Sequence, residues 1–400
     1  MLIGLVGKPS VGKSTFFKAA TLAEVEIASY PFTTIKANRG VGYVKIDCID
    51  KEFNTQCNPT HGFCINHKRF VPVELMDVAG LVEGASEGKG LGNQFLDDLT
   101  SADALIQIVD ASGETDLEGK EGKGNPIEDI RMLENELDLW YLGIMNKVWK
   151  SFARTLQMSK QNFAQSIANQ FSGLKVNEEH VKEVMRKLNF DYEKPAEWDS
   201  GNLKKFAHEL RHVSKPMVIA ANKIDKKAGG ENYEKMKMEF PDLTIVPCSS
   251  DSELALRQAA KVELIEYVPG ETDFKILKKL SENPLKSTRQ KQALEKIKEN
   301  VLSKYVEGTG VQAVLNSVVF DLLEYVAIFP ASATKLGDSK GNILPDCFLL
   351  PKGSTALDFA YYLHTDFGKN FIKAIDARTK KALGKDYVLK SRDALEIVTR

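Results

Sequence analysis

The sequence predicts an α/β fold: a largely parallel sheet carrying a phosphate-binding loop, interrupted by helices and followed by a small strand-rich module. Three observations predict it. Short apolar runs rich in branched residues recur at LIGLV, VPVELMD, ALIQIVD and PMVIAAN, the pattern of strands buried on both faces. The first run leads directly into GKPSVGKS (Gly7–Ser14) and then TFFKAATL, a strand–loop–helix order. Between the third and fourth runs, Ile127, Ile130, Leu133, Leu137, Trp140, Ile144 and Val148 recur at three- and four-residue steps, which marks an amphipathic helix.

The loop comes first in the chain. Gly7–Ser14 has the spacing G-x-x-x-x-G-K-S. Its glycines let backbone N–H groups close on phosphate oxygens, and the helix N-terminus after Gly12 adds partial positive charge. Gly7, Lys8, Pro9, Ser10, Val11, Gly12, Lys13, Ser14 and Thr15 are therefore candidate nucleotide contacts. Lys13 can reach the β and γ phosphates, and the Ser14 hydroxyl can ligate Mg²⁺. Next, Tyr30-Pro-Phe-Thr-Thr-Ile35 offers Thr33 and Thr34 as ligands that complete the magnesium shell, although the residue types alone also suit a strand entry after Pro31. The second apolar run ends in Asp77-Val-Ala-Gly80. Asp77 can hold Mg²⁺ through water, and the Gly80 N–H can face the γ-phosphate. The following GLVEGASEGKGLG contains Gly80, Gly84, Gly88, Gly90 and Gly92, a segment expected to order around a ligand.

The run PMVIAANKID ends in Asn222-Lys223-Ile224-Asp225, at the strand end where open α/β sheets bind ligands. Asp225 can accept two hydrogen bonds from guanine, whereas adenine lacks donors in that arrangement and would leave the carboxylate unpaired. Asn222 can bond the base or the neighbouring loop, and the Lys223 stem can cover the base face. LTIVPCSS adds a strand and a loop in which Ser249 and Ser250 are candidates to present backbone N–H groups to the guanine O6.

Composition limits the alternatives. The 400 residues are 43% hydrophobic and 27% charged, with a formal net charge of −1. That is ordinary for a globular chain of two or three domains, and the net charge does not point to nucleic acid or an acidic membrane. No apolar run approaches the ~18 residues of a membrane helix. The N-terminus MLIGLVGKPS lacks a basic leader and reads as a core strand, so a cytoplasmic location is expected. Five cysteines argue against a disulfide scaffold. Cys57, His61, Cys64 and His67 cluster in a polar loop in a spacing that fits no familiar zinc pattern. A reduced pair or a local Cys57–Cys64 disulfide is the preferred expectation, with metal binding the other.

GKPSVGKSTFFKAAT, YPFTTIKANRGV, DVAGLVEGASEGKGLGNQFLDDL, VDASG and ANKID resemble the Obg–YchF group of translation-associated GTPases, archaeal-type in character, and LPKGSTALDFAYYLHTDFG resembles a TGS domain, a small β-grasp module. The resemblance implies Mg²⁺-dependent GTP hydrolysis to GDP, with Thr34 as the switch threonine and Lys13, Thr34 and Gly80 around the reacting phosphate. The metal set becomes Ser14, Thr34 and Asp77. It also implies a link to ribosomes or RNA. The chain departs from the group in keeping Asp225, since YchF proteins proper tend to lose it and prefer ATP. Ser10 stands where many relatives carry asparagine, which leaves potassium stimulation without support. Leu81 stands where Ras-like proteins place a water-orienting glutamine.

The expected organisation is a P-loop GTPase domain over 1–112 and 214–330, with a helical extension at about 251–330, a helical insertion over 113–213, and a TGS-like β-grasp domain over 331–400. Within the insertion, Leu203, Phe206, Leu210 and Val213 repeat the helical pattern. Lys275–Lys304 holds nine Lys or Arg against three Glu, read as a solvated helix face before an RNA contact. Tyr361 and Tyr362 fit a core as well as a stacking surface. The leading reading is a GTP-driven switch. The alternatives are an ATP-using P-loop hydrolase and a nucleotide-gated ribosome- or RNA-binding module with minor turnover.

Overall fold

The computed structural model describes residues 1–21, 39–78, 84, 98–277, 284–338 and 340–400, with the side chains of 284–287 outside that description. Thr33, Thr34, Gly80 and Leu81 lie outside the described residues.

Among these residues the larger sheet has seven strands. β1 (Leu2–Val6), β2 (Arg39–Asp47), β3 (Phe63–Ile65), β4 (Lys68–Asp77), β5 (Ala104–Asp110), β6 (Met217–Asn222) and β7 (Ile245–Pro247) run in the order β2-β4-β1-β5-β6-β7, with β3 paired to β4. β4, β1, β5, β6 and β7 are mutually parallel, while β2 and β3 run antiparallel to β4. Every residue of β1, β5 and β6 is buried, which accounts for their unbroken apolar character.

Strand alternation divides the core into two layers. Leu2, Val6, Leu105 and Val109 face one layer together with the helical residues Ile130, Leu133, Leu137 and Trp140. Ile3, Leu5, Ile106 and Ile108 face the other, with Phe16 of the helix Lys13–Thr21 and with Val311, Val314 and Leu315 of the helix Val311–Asn316. The helix Pro126–Ser159 starts with Asn125, whose side chain accepts from the Ile127 N–H, and with Pro126 in the first turn. Both features favour helix initiation. It ends at Lys160 in the left-handed conformation. Its 34 residues reach about 51 Å. Distal to the sheet it packs on Ser200–Ser214 through rings that include Trp149, Phe163, Trp198 and Phe206. All of this lies between β5 and β6 in the chain.

A second sheet contains β10 (Tyr325–Pro330), β11 (Phe348–Pro351), β12 (Phe371–Asp376), β13 (Ala382–Leu383) and β14 (Ala394–Thr399) in the order β11-β10-β14-β12-β13. A short pair, β8 (Ile265–Glu266) and β9 (Lys275–Ile276), stands apart. The second sheet begins before residue 331, because YVAIFP is a strand bonded to β11 and β14. Ala327 and Phe329 point into the large core and Ile328 into the small one, so β10 belongs to both. Tyr361 and Tyr362 are exposed on the helix Ala356–Leu363. Phe359 and Ala360 take the inward positions, so the expectation that the tyrosines fit a core is corrected by helical phase.

Candidate functional site

Parallel pairing brings four sequence-distant segments to one edge of the sheet. Register places Asp77 beside Leu5 near the end of β1, and Asp110 beside Asn222 at the ends of β5 and β6. The motif residues therefore meet at the carboxyl ends of the strands.

The loop after β1 is built for close approach. Gly7 has φ +148° and Gly12 φ +96°. A Cβ at Gly7 would fall 2.4 Å from the Ile108 carbonyl oxygen, and one at Gly12 would fall 2.4 Å from Asn222 Nδ2. Gly12 O accepts from the Phe16 N–H at 2.9 Å, so the helix begins at the loop. Lys13 Nζ donates to Gly7 O at 3.0 Å and Lys8 O at 3.3 Å, which suspends its ammonium over the backbone. Burial lowers the Lys13 pKa, and the nearby Asp77 charge opposes that shift. Ser14 Oγ lies 3.1 Å from Asp77 Oδ2, which juxtaposes the two predicted magnesium ligands. A hydroxyl and a carboxylate are the oxygen donors a hard cation takes, so this corner fits Mg²⁺. Ser10 is exposed at φ 62°, Thr15 is half-buried, and Pro9 packs against Gly119.

Lys8 has a different role from a phosphate contact. Its side chain is buried, donating to Thr115 O and Asp129 Oδ1, both at 2.8 Å. Only its backbone remains to line the loop. Asn222 is the joint between loops: Nδ2 donates to the Val11 carbonyl at 2.8 Å, and Oδ1 accepts from the Ser250 N–H at 3.0 Å and its hydroxyl at 2.9 Å. Of the two partners expected for Asn222, the structure shows the neighbouring loop.

Asp225 Oδ1 accepts from Ser249 Oγ at 2.7 Å, and that hydroxyl lies 2.8 Å from Ser252 Oγ. The backbone N–H groups of Ser249 and Ser250, expected to face a base, have partners within the chain. The Ser249 N–H donates to Thr309 O at 2.8 Å and the Ser250 N–H to Asn222. These serines hold the aspartate and the asparagine instead.

Sequence reading assigned no role to Asp110. It is buried, and accepts from Lys223 Nζ at 2.7 Å, Thr115 Oγ1 at 2.8 Å and the Ser112 N–H at 3.0 Å. Burial alone would raise its carboxyl, but bonds from Lys223, Ser112 and Thr115 hold it below the ordinary range. Asp110 thereby fixes the left-handed Lys223 (φ 62°) and with it the stem beside Asp225. The VDASG string was the available signal. Beyond Asp77, the Gly84 N–H donates to Glu136 Oε1 of the long helix at 2.8 Å.

A glycine cradle with lysine and a Ser–Asp corner, facing an Asn-Lys-x-Asp loop across a parallel sheet, defines a P-loop nucleotide-binding site. Residues 2–138 match the 50S ribosome-binding GTPase family, 220–332 the Obg-like GTPase YGR210-like, G4 motif-containing domain, and 338–399 the TGS domain. An uncharacterized GTP-binding protein of Methanocaldococcus jannaschii is 45% identical over 100% of this chain and 99% of its own. The ribosome-binding ATPase YchF of Bacillus subtilis is 29% identical, covering 93% of this chain and 87% of that protein. The crystal structure of a GTP-binding protein from Pyrococcus horikoshii OT3 superposes with a TM-score of 0.79 at 41% identity, covering both chains fully. The chain belongs to the Obg/YchF-related family of GTP-binding P-loop proteins, a family of nucleotide hydrolases.

Proposed function

We propose that this chain binds GTP with Mg²⁺, hydrolyses it to GDP and phosphate, and uses the bound nucleotide as a switch read by a ribosomal or RNA partner in the cytoplasm. The observation that carries the base preference is Asp225, held through Oδ1 by Ser249. A carboxylate fixed in this way is poised to accept from the N1–H and exocyclic amine of guanine. Adenine would leave it desolvated and unpaired, a cost of about 1–3 kcal/mol or more for a charged group. Lys223, tethered to Asp110, lays its stem along the base.

At the phosphate end, backbone N–H groups of the Gly7–Lys13 loop, which Pro9 cannot supply, and the Lys13 ammonium stabilise the β and γ oxygens where negative charge gathers. Ser14 and Asp77 would hold Mg²⁺, with Thr34 as a further proposed ligand and Gly80 as a γ-phosphate contact. When bound, the ion neutralises charge on the β- and γ-phosphate oxygens. Asn222 keeps the two halves of the site in register, because the same amide grips Val11 of the phosphate loop and Ser250 of the base loop.

The Bacillus relative is named a ribosome-binding ATPase, and that name supports the ribosomal partner while raising ATP as the competing substrate. Calorimetric titration with GTP, GDP and ATP tests the assignment. GTP is expected to bind at least tenfold tighter than ATP, and Asp225→Ala to erase the difference, a loss of roughly 10–100-fold in GTP affinity. Equal affinities in the unaltered chain would reject the guanine reading. Co-sedimentation with ribosomes in each nucleotide state tests the partner; a binding level indifferent to nucleotide would remove the switch.

A further inference from the structure

Outside the nucleotide site, Cys48, Cys57, Cys64 and Asp50 converge. Their ligand atoms all lie within 4.8 Å of one another, and Cys48, Cys57 and Asp50 are buried. Cys48 Sγ is 3.6 Å from Cys57 Sγ, and Cys64 Sγ is 3.9 Å from Asp50 Oδ2. The residues come from the segment after β2 and from β3, so the set is scattered in sequence and assembled by the hairpin. All three thiols are free, so of the two expectations for Cys57 and Cys64 the structure shows the reduced pair. His61 is drawn away to Asp346 Oδ1 at 2.8 Å, and His67 turns its Nδ1 to Asp50 Oδ1 at 2.9 Å.

We infer that Cys48, Cys57, Cys64 and Asp50 form a tetrahedral structural zinc site that locks the 48–67 segment in the form that docks the C-terminal sheet module. Zn–S bonds of about 2.3 Å and Zn–O bonds of about 2.0 Å give tetrahedral edges of roughly 3.8 Å between sulfurs and roughly 3.5 Å between sulfur and oxygen. The Cys48–Cys57 separation of 3.6 Å is close to the first, and the Cys64–Asp50 separation of 3.9 Å is slightly longer than the second, a gap that closing on the ion removes. The donor set is sulfur-rich, which selects zinc over magnesium or calcium. A disulfide needs sulfurs about 2.05 Å apart and would employ only two of the three thiols.

The surroundings resemble those of a metal ligand. Asp50 is held by the Cys57 N–H at 3.2 Å and by His67, as outer partners orient a ligating carboxylate.

The position gives the site its role. Residues 48–62 form a long connection whose only regular element is the single 3₁₀ turn Ile49–Phe53. From this stretch the Asn58 N–H donates to Ile343 O at 3.1 Å and the Thr60 N–H to Pro345 O at 2.8 Å, and His61 reaches Asp346. A segment with so little ladder bonding needs another constraint to present these groups in fixed order.

The test uses the full chain, purified without an affinity metal and passed through a chelating resin. Elemental analysis is expected to find one zinc per chain, and cobalt exchanged into the protein to show thiolate charge-transfer and tetrahedral visible bands. Cys64→Ser and Asp50→Asn should each lower zinc retention against a competing chelator by tenfold or more while GTP binding persists, which reports that the chain is folded. Protease cleavage within 48–62 should rise when zinc is removed from the unaltered protein. Three free thiols with no bound zinc, iron in its place, or a disulfide among these cysteines by mass spectrometry under non-reducing conditions would each overturn the proposal.

Discussion

At Gly12 the space for a side chain is already taken. A methyl group there meets Asn222 Nδ2 at 2.4 Å in a backbone conformation of φ +96°, so Gly12→Ala must displace the amide that joins the two loops. The expected result is loss of nucleotide binding by more than tenfold in calorimetry, with a stability loss of about 1–3 kcal/mol by urea unfolding. Lys13 carries a second residue-scale expectation. Its pKa is lowered by burial in the folded chain, so between that lowered value and the unfolded value near 10.5 the unfolded state binds more protons. Stability of the nucleotide-free chain should therefore rise with pH across that window. Triphosphate reverses the shift by favouring the ammonium, so binding should take up protons and weaken as pH rises there. Titration in buffers of different ionisation enthalpy measures the uptake; proton release would contradict it.

Among elements, the long helix Pro126–Ser159 touches the nucleotide site twice. Asp129 in its first turns holds Lys8 of the phosphate loop, and Glu136 two turns on accepts from Gly84. The Lys8–Asp129 pair has side chains 1% and 4% exposed. Removing one partner strands a buried charge, which costs about 3–5 kcal/mol, whereas replacing both with apolar groups is far milder. Lys8→Met and Asp129→Leu are thus expected to be strongly destabilising singly and much less so together, as measured by chemical denaturation. A double variant as unstable as the sum of the singles would mean that the pair is not coupled. Glu136→Ala is expected to leave GDP affinity intact and to raise protease cleavage at Gly84, since it removes the acceptor of the Gly84 N–H; unchanged cleavage there would mean that this bond does not hold Gly84.

For the whole molecule, the question is what holds the second sheet to the first. Glu52 bonds Arg378 at 2.6 Å and also pairs with Arg392, but all three side chains are 29–37% exposed. Such pairs are worth about 0–1 kcal/mol each. Arg69 is different. It is buried and donates to the carbonyls of Leu344 at 3.0 Å and Pro345 at 2.9 Å, with Phe329 beneath its guanidinium. Arg69→Met leaves Pro345 O with the Thr60 N–H alone and takes from Leu344 O its side-chain donor, at about 1–3 kcal/mol for a buried carbonyl left without a partner. It should lower the thermal midpoint well beyond Glu52→Ala; equal effects would place the attachment at the surface instead. Among the described residues no helix is long and apolar enough to cross a membrane.

The chain by itself determined whatever lies in one contiguous stretch: the phosphate loop from Gly7, Asp77 at a strand end, Asn222–Asp225, and the apolar phase of the long helix. Their chemistry depends on spacing along the backbone, and spacing is written in the order of residues. Only the tertiary structure decided who meets whom. Asp110 found Lys223, Lys8 found Asp129, and the Ser249 and Ser250 amides were spent on Thr309 and Asn222. Cys48 and Asp50 replaced His61 and His67 around the remaining cysteines. Each of these pairings crosses turns or strands, and short-range periodicity carries no record of strand order or register. A buried polar group takes the partner that folding brings within hydrogen-bond reach, because leaving it unpaired costs more than any local preference supplies.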